Sequence, residues 1–259
     1  MTVFDKFRLD GRRALVTGGS RGLGFAMAKA LAEAGADLVL VGREAATLEK
    51  AQRELAPLGR KVDGIIADLN TPAEAEKMCA EALAKHAPFE VLIANVGGRR
   101  INVPTEQLAL ADWQKIIDLN LTSAFVCCKM IGGHMVERKK GSVITISSIC
   151  STIVGRGIHG RTYETSKAAV THLTRCLAAD WAPYNVRVNA IAPGGFLTDP
   201  NRRWFQQMPE LKNTFESQVP MGRLGEPDEL GPLAVYLASD ASSYMTGAEL
   251  VIDGGYTVW

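Results

Sequence analysis

The sequence lacks the features that would mark several specialised classes of protein. Its 259 residues carry a net charge of only +1, so no overall charge favours binding to nucleic acid or to a membrane surface. No apolar run approaches the ~20 residues of a membrane span, and the mixed, charged segment 1–13 is unlike a signal peptide. Internal repeats, low-complexity segments and linkers are also missing. With 47% hydrophobic residues, the chain is expected to form one globular domain over residues 1–259.

Cysteines are few, and they are not spaced for a disulfide framework or a metal site. They stand at positions 79, 127, 128, 150 and 176, with no C-x-x-C and no Cys/His ligand spacing. An odd count fits reduced thiols, so we expect a cytoplasmic protein without a bound metal. Cys127 and Cys128 fall in an apolar helical stretch and are expected to fill the core.

Short apolar segments alternate with helical ones along the chain. The predicted strands are Arg13–Thr17, Asp37–Val41, Val62–Ala67, Phe89–Ala94, Ser142–Ser148, Val186–Ile191 and Glu249–Ile252. The predicted helices include an alanine-rich one that ends near Ala34 and a long amphipathic one from about Asp112 to Arg138. The segment Phe196–Glu226 contains several prolines and is expected to be irregular. This alternation predicts an α/β fold, a mostly parallel sheet with helices on both faces.

A glycine-rich turn follows the first predicted strand. It reads Gly18-Gly19-Ser20-Arg21-Gly22-Leu23-Gly24, and a helix follows at once. Bare backbone between a strand and a helix lets a pyrophosphate approach the helix N–H groups and the positive end of the helix dipole. The spacing is G-x-x-x-G-x-G rather than G-x-G-x-x-G, and the G-K-[ST] of a P-loop is absent. A glycine turn without a ligand is the less favoured alternative, because the flanking strand and helix suit a phosphate site.

The end of the second predicted strand indicates which cofactor is preferred. It reads Gly42-Arg43-Glu44, where an NAD-binding domain would place an acidic residue on the ribose 2′-OH. Arg43 instead suits a 2′-phosphate, because the planar guanidinium grips phosphate through two hydrogen bonds. Arg21 could close on the same phosphate. Each arginine could also be a solvated surface residue, but together they predict NADP(H) in preference to NAD(H).

Tyr163 and Lys167 stand four residues apart in a predicted helix, so their side chains share one face. They follow the strand that ends in Ser147 and Ser148. A tyrosine hydroxyl has a reference pKa near 10 and is a poor base at neutral pH. A nearby cation lowers that pKa, but reaching about 7 needs roughly 4 kcal/mol, so further positive charge and a sheltered site are required. A serine at the strand end could hold the substrate oxygen that the tyrosine protonates or deprotonates.

Other strand ends also carry residues suited to a ligand. Asp68 follows the third strand, Asn95-Val96-Gly97-Gly98 the fourth, and Pro193-Gly194 the sixth. In open α/β sheets, ligands bind beyond the carboxyl ends of the strands. Asn120, inside the long helix, would by itself be read as a solvated or packing residue.

Together these motifs resemble the short-chain dehydrogenase/reductase family over nearly the whole chain. The resemblance rests on Thr17-Gly18-x-x-x-Gly22-x-Gly24, Asp68, Asn95 with Gly97, Asn120, Ser148, Tyr163-x-x-x-Lys167 and Pro193-Gly194. It implies a Rossmann-type, doubly wound fold, a nicotinamide cofactor and a homotetramer. The cofactor-binding residues that it implies are Thr17, Gly18, Ser20, Arg21, Gly22, Leu23, Gly24, Arg43, Asp68, Leu69, Asn95, Gly97, Tyr163, Lys167, Pro193, Gly194 and Thr198.

The same resemblance implies a role for each catalytic residue. Tyr163 would be the general acid/base, and Ser148 would anchor the carbonyl oxygen. Lys167 would bind the nicotinamide ribose and lower the tyrosine pKa, while Asn120 would hold a relay water. The positive nicotinamide ring of the oxidised cofactor would supply the further charge that the tyrosine requires.

The chain departs from the family pattern in two places. Ala94 occupies the first of two positions where the family often has adjacent asparagines. Ser148 precedes Tyr163 by fifteen residues, a longer separation than usual, whereas Ser151 precedes it by twelve. We favour Ser148 as the anchor because it ends the strand. The additional residues then form an enlarged loop, through Arg156 and His159, that borders the site.

Within the family, the chain resembles the sugar-acid and polyol dehydrogenases of the gluconate 5-dehydrogenase type. It is therefore expected to interconvert a secondary alcohol and a ketone. One alternative is a 3-oxoacyl thioester reductase, which would need an apolar groove for its substrate. Another is a catalytically silent cofactor-binding scaffold, against which the intact Asn120, Ser148, Tyr163 and Lys167 argue.

Cationic residues are frequent in three segments that leave strand carboxyl ends. They are Arg99, Arg100, Arg156, His159, Arg161, Arg202 and Arg203. These segments should border one crevice, and cations gathered there would attract an anion. We therefore expect an anionic substrate such as a sugar acid, although any one of these residues could instead face solvent or pair with a neighbouring subunit.

Overall fold

The computed structural model describes residues 2–98, 101–155 and 159–259. In this part of the chain the strands are β1 (Arg13–Thr17), β2 (Asp37–Gly42), β3 (Val62–Ile66), β4 (Val91–Ala94), β5 (Gly141–Ile146), β6 (Val186–Pro193) and β7 (Glu249–Ile252). They form one parallel sheet in the order β3-β2-β1-β4-β5-β6-β7. The prediction of a mostly parallel, doubly wound sheet is confirmed.

The helices of the described residues lie on both faces of this sheet. They are α1 (Gly22–Glu33), α2 (Ala45–Leu55), α3 (Pro72–His86), α4 (Leu110–Glu137), α5 (Thr162–Trp181), α6 (Asp199–Gln207), α7 (Pro209–Ser217) and α8 (Gly231–Ala238). One core lies between the sheet and α1, α2 and α8, and a second lies between the sheet and α3, α4 and α5. Alternate residues of a strand serve the two cores, as Leu15 and Val16 of β1 do.

The order of the strands determines where a ligand can bind. From β1 the chain proceeds outward to β2 and β3, and it then returns to the other side of β1 with β4. The loops after β1 and β4 therefore leave the sheet in opposite directions and open a crevice between them. This reversal point, beyond the carboxyl ends of the strands, is where open α/β sheets bind their ligands.

The segment Phe196–Glu226 corrects a prediction. It was expected to be irregular, but it contains the two helices α6 and α7. The expectation treated its prolines as helix breakers, yet Pro200 and Pro209 stand in the first turns of these helices. Proline is tolerated there because the first N–H groups of a helix have no partner within it.

The long helix α4 passes a test of length and composition for a membrane-crossing helix, which the sequence reading had not expected. Half of its apolar window is buried inside the protein, and the helix packs against α3 and α5. A core helix passes the same test, so the result is weak evidence for a membrane span. α4 also contains two π-helical stretches, Asp118–Thr122 and Cys128–Gly132.

The cysteines of α4 lie in the core, as expected. Cys127 and Cys128 are buried, and the Sγ atom of Cys127 lies 3.9 Å from that of Cys79. The hydrogen bond with Cys79, together with burial, raises the pKa of Cys127 well above its ordinary value. Burial raises the pKa of Cys128 to about 12. Thiols that hold their protons so firmly are poor nucleophiles and metal ligands.

Candidate active site

The glycine turn joins β1 to α1 with backbone angles that favour glycine. Gly18 has φ +64° and Gly22 has φ +59°, in the left-handed region that costs other residues energy. A Cβ atom on Gly24 would lie 2.2 Å from the carbonyl oxygen of Gly18. The glycine at this position therefore lets the first turn of α1 pack directly onto the loop.

A cavity of about 530 Å³ opens above this turn, within the size range of small-molecule sites. Predicted cofactor residues line it at the glycine turn, at the ends of β2 to β4 and after β6: Gly18, Ser20, Arg21, Gly22, Arg43, Asp68, Leu69, Asn95, Gly97 and Thr198. Thr198 approaches the turn closely, since a Cβ atom on Gly22 would lie 3.7 Å from the Thr198 side chain, in van der Waals contact. Bare backbone, an α-helix N-terminus and two arginines in one cavity suit a dinucleotide.

Thr17 does not line the cavity, but it shapes it through Asn95, which does. The Thr17 hydroxyl accepts hydrogen bonds from the backbone N–H groups of Asn95 and Val96, at 2.9 and 3.1 Å. The Asn95 side chain in turn donates to the carbonyl oxygen of Thr17 at 3.0 Å. These bonds join the carboxyl ends of β1 and β4 across the crevice.

Leu23, Pro193 and Gly194 have packing positions in the structure. Leu23 packs against the core beneath α1, and Pro193 is the buried last residue of β6. The Gly194 N–H donates to the carbonyl oxygen of Ile252 at 2.9 Å, and a Cβ atom on Gly194 would lie 2.6 Å from Asp253.

Asn120 is held at the crevice by the loop after β4. Its Oδ1 atom accepts from the Gly98 N–H at 2.8 Å, and its Nδ2 atom donates to the Gly98 carbonyl oxygen at 3.1 Å. Asn120 lies in the first π-helical stretch of α4, and its Nδ2 atom also donates to the Ile116 carbonyl oxygen at 2.9 Å. Sequence reasoning alone gave this buried residue little weight, because only the fold brings Gly98 beside it.

Lys167 lies on the same side of the crevice. A Cβ atom on Gly97 would lie 2.8 Å from Oδ1 of Asn120 and 3.0 Å from Nζ of Lys167, so both polar groups adjoin Gly97. The Lys167 ammonium is buried and donates to the Ile146 carbonyl oxygen at 2.8 Å. Burial lowers its pKa from 10.5 to about 8. Its Nζ atom lies 5.9 Å from the centre of the Tyr163 ring, a cation–π distance.

The structure gives the two candidate serines different surroundings. Ser148, just after β5, is buried, and its hydroxyl oxygen accepts from the Cys150 N–H at 3.1 Å. That oxygen keeps its own proton available for donation to another group. Ser151 instead donates to Oε1 of Glu249 at 2.6 Å. This difference favours Ser148 over Ser151 as the anchor of a substrate oxygen.

Several of the cationic residues are engaged by neighbouring groups. Arg161 contacts Oε1 of Glu164 at 3.2 Å and also donates to the carbonyl oxygen of Gly155. Arg202 pairs with Glu226. Arg203 is exposed and makes a long hydrogen bond to the Asp199 carbonyl oxygen.

Of the remaining cationic residues, only His159 lies within the described residues. The backbone N–H of His159 donates to Asn102 at 2.7 Å, which links the enlarged loop to the loop after β4. Arg99, Arg100 and Arg156 lie outside the described residues. The positive field expected from the sequence is therefore smaller among the described residues than a count of arginines suggests.

Other residues that line the cavity were not predicted from the sequence: Val41, Gly42, Glu44, Thr47, Ala67, Asn70, Val96, Leu119 and Asp199. The residues at strand ends could have been found from their position beyond β2 and β3. Thr47, in the first turn of α2, and Leu119, beside Asn120, carry no sequence signal and are placed only by the fold.

Comparisons with known proteins give this site a context. The family model described as "Enoyl-(Acyl carrier protein) reductase" matches residues 18–257. Galactitol 2-dehydrogenase (L-tagatose-forming) of Cereibacter sphaeroides is 42% identical over 98% of both chains. Gluconate 5-dehydrogenase of Gluconobacter oxydans is 35% identical over 98% of both chains.

A solved structure is similar over the full length. It is a gluconate 5-dehydrogenase from Burkholderia cenocepacia in complex with NADP and tartrate. The TM-score is 0.91 at 34% identity, and the match covers 100% of each chain.

Proposed function

The chain belongs to the short-chain dehydrogenase/reductase family of oxidoreductases that act on CH–OH groups, and from this premise we propose an NADP(H)-dependent enzyme for a polyol or sugar acid. It interconverts a secondary alcohol and a ketone. The observation that carries the proposal is that Asn120 and Lys167 adjoin Gly97, with Tyr163 beside Lys167, and that Gly97 lines the same dinucleotide-sized cavity as Arg21 and Arg43. A nicotinamide cofactor in this cavity supplies the hydride acceptor or donor.

The chain's own residues move the proton. In the reductive direction, the Tyr163 hydroxyl donates its proton to the carbonyl oxygen, and in the oxidative direction the phenolate takes it back. The buried Lys167 cation beside the ring stabilises the phenolate. Among the described residues the Ser148 hydroxyl accepts a hydrogen bond and donates none, so it can donate one to the same substrate oxygen.

Asn120 supports the catalytic residues by binding the backbone of the loop after β4. Its side chain accepts from the Gly98 N–H and donates to the Gly98 carbonyl oxygen. These two bonds keep the loop after β4 against Lys167. We assign it the relay-water position that the family resemblance implies, because its Oδ1 atom and the Lys167 Nζ atom adjoin the same glycine. Water held between these groups would carry protons to and from Tyr163.

The preference for NADP(H) is supported by the cations at the adenosine end. Arg21 and Arg43 both line the cavity there, and the acidic residues Glu44 after β2 and Asp68 after β3 line it as well. A charge-assisted bidentate contact contributes about 1.5–3 kcal/mol, which corresponds to roughly ten- to a hundredfold in preference. The NADP in the Burkholderia cenocepacia structure is consistent with this choice.

The finer proposal for the substrate is a sugar acid, with a neutral polyol as the second candidate. The exposed Arg203 and the tartrate in the similar structure favour an anion. The pairing of Arg161 and Arg202 with carboxylates of this chain, and the galactitol enzyme of Cereibacter sphaeroides, favour the polyol. A 3-oxoacyl thioester remains the alternative outside the carbohydrates.

We further propose that residues 1–259 act as one catalytic domain in a cytoplasmic homotetramer. Phe125 on α4, Val251 on β7 and Tyr244 before it are exposed apolar side chains that association of subunits would cover. Size-exclusion chromatography with light scattering on the eluted protein measures the mass of the assembly directly. A monomer would contradict this assembly without affecting the catalytic proposal.

One set of assays tests the proposed function. Galactitol, gluconate, their keto forms and a 3-oxoacyl thioester are offered with NADP(H) and with NAD(H), and cofactor absorbance is followed. The same panel is run with Tyr163→Phe, which keeps the ring but removes the proton donor. We expect turnover of a carbohydrate to fall about 10²-fold or more, while binding of NADPH, measured by fluorescence, stays near that of the wild type. Near-normal turnover in the variant would contradict the assignment.

A further inference from the structure

A carboxylate outside the catalytic group is hydrogen-bonded to elements on both sides of it. Glu249, the first residue of β7, is half-buried. Its Oε1 atom accepts from the Ser151 hydroxyl at 2.6 Å and from the Thr171 hydroxyl at 2.6 Å. One oxygen of β7 therefore ties the turn after Ser148 to helix α5.

The hydrogen bonds continue toward the catalytic lysine. The Thr171 hydroxyl oxygen lies 2.7 Å from that of Ser147. Because Thr171 gives its proton to Glu249, it must accept the proton of Ser147. The Ser147 hydroxyl also lies 3.2 Å from the carbonyl oxygen of Lys167, which competes with Thr171 for the single proton of Ser147. Ser147 immediately precedes Ser148, so the chain of bonds joins the backbone at the end of β5 to the turn of α5 that carries Lys167.

This arrangement bears on the enlarged loop between Ser148 and Tyr163. Ser151 ends the short turn Ile149–Ser151, which Ser148 caps. With Ser151 held by Glu249, the start of the loop is fixed close to Ser148.

We propose that Glu249 is a positioning residue that sets the place of Ser148 relative to Tyr163 and Lys167. This rests on the proposed function, in which Ser148 and Tyr163 hold the same substrate oxygen. Misplacement of a reacting group by about 1 Å can cost up to roughly 10²-fold in rate. The role requires an acceptor oxygen at this point and does not require a negative charge.

The same helix offers a matched control for the contact. Thr174 lies about one turn beyond Thr171 on α5, and it is also buried. Its hydroxyl pairs with Thr145 of β5 at 2.7 Å and with the Val170 carbonyl oxygen. It makes no described contact with Glu249 or with the turn after Ser148. Thr171→Val and Thr174→Val therefore remove the same atom type from the same helix, and only the first touches the Glu249 contact.

The experiment compares Glu249→Ala, Glu249→Gln and the two valine variants with the wild type. The substrate is the carbohydrate of the panel that the wild type turns over best. We expect kcat to fall roughly tenfold in Glu249→Ala, with the KM for NADPH unchanged and a larger deuterium isotope effect on kcat. Glu249→Gln should stay near the wild type, because an amide oxygen can accept both hydrogen bonds. Thr171→Val should lose activity and Thr174→Val should not.

Hydrogen exchange of the unliganded protein gives a readout that does not depend on activity. Amides of residues 147–155 should exchange faster in Glu249→Ala and Thr171→Val, but not in Thr174→Val. The proposal is overturned if Glu249→Ala keeps the wild-type kcat and isotope effect, or if Glu249→Gln is as impaired as Glu249→Ala. If Tyr163→Phe also retains turnover, the proposed function itself has failed. If only the Glu249 variants retain it, the positioning role alone has failed.

Discussion

Replacing the buried lysine of the catalytic group should make the protein more stable while it destroys activity. Lys167 is 3% exposed, and burial lowers its pKa from 10.5 to about 8. Below pH 8 the folded protein therefore carries a buried positive charge on Lys167, and burying this charge opposes folding. A shift of this size corresponds to a cost on the order of 3 kcal/mol.

The substitution Lys167→Met removes the charge and keeps an unbranched side chain. It also removes the hydrogen bond to the Ile146 carbonyl oxygen, which costs about 1 kcal/mol. The net expectation at pH 7 is a gain of about 2 kcal/mol in the free energy of unfolding, or roughly 4–8 °C in Tm for a chain of this size. Activity should fall sharply at the same time, because the cation beside Tyr163 is gone.

The pH dependence of the free energy of unfolding tests whether the buried charge of Lys167 is the cause of the difference. Between about pH 8 and 10.5 the unfolded wild type still binds the proton that the folded form has released, so wild-type stability rises with pH through this window. The raised pKa of Cys128, about 12, works in the opposite direction above about pH 9, but it does so in both proteins. The advantage of Lys167→Met should therefore shrink as the pH rises from 7 to 10.

Urea unfolding of the unliganded proteins, followed by tryptophan fluorescence at several pH values, measures the difference directly. A constant difference between wild type and variant from pH 7 to 10 would refute the reasoning. So would a variant that is less stable than the wild type at pH 7. Either result would mean that burial of the lysine costs little.

The remaining predictions concern the anchor, the cofactor and the substrate. Ser148→Ala should lower kcat by about 10²-fold and Ser151→Ala by no more than the roughly tenfold expected for Glu249→Ala, whereas the reverse order would move the anchor to Ser151. Arg43→Asp should lower the ratio of kcat/KM for NADP(H) to that for NAD(H). Arg53→Asp, on the exposed side of α2, is the control. An unchanged ratio in Arg43→Asp would show that another residue binds the 2′-phosphate. An aldonate should be turned over better than the matching polyol, with an advantage that shrinks in high salt, and equal turnover would leave the polyol as the better candidate.

Features that depend on local pattern could be read from the sequence. The alternation of apolar strands and helices predicted the parallel sheet, because each strand buried on both faces is a continuous apolar run. The glycine turn was found from its place between a strand and a helix, and the structure gives Gly18 and Gly22 positive φ angles there. The spacing of Tyr163 and Lys167 placed both on one face of α5, since the periodicity of a helix needs no tertiary information.

Features that depend on distant contacts were decided only by the fold. The sequence offered two serines before Tyr163, and the structure separates them because Ser151 contacts Glu249, a residue 98 positions away. The arginines looked alike in the sequence, but Arg202 is paired with Glu226. Asn120 had a candidate role only through the family resemblance, and the structure shows that its side chain is hydrogen-bonded to Gly98. Local propensity and periodicity act within a few residues, whereas a hydrogen bond between distant segments depends on how the sheet brings the strand ends together.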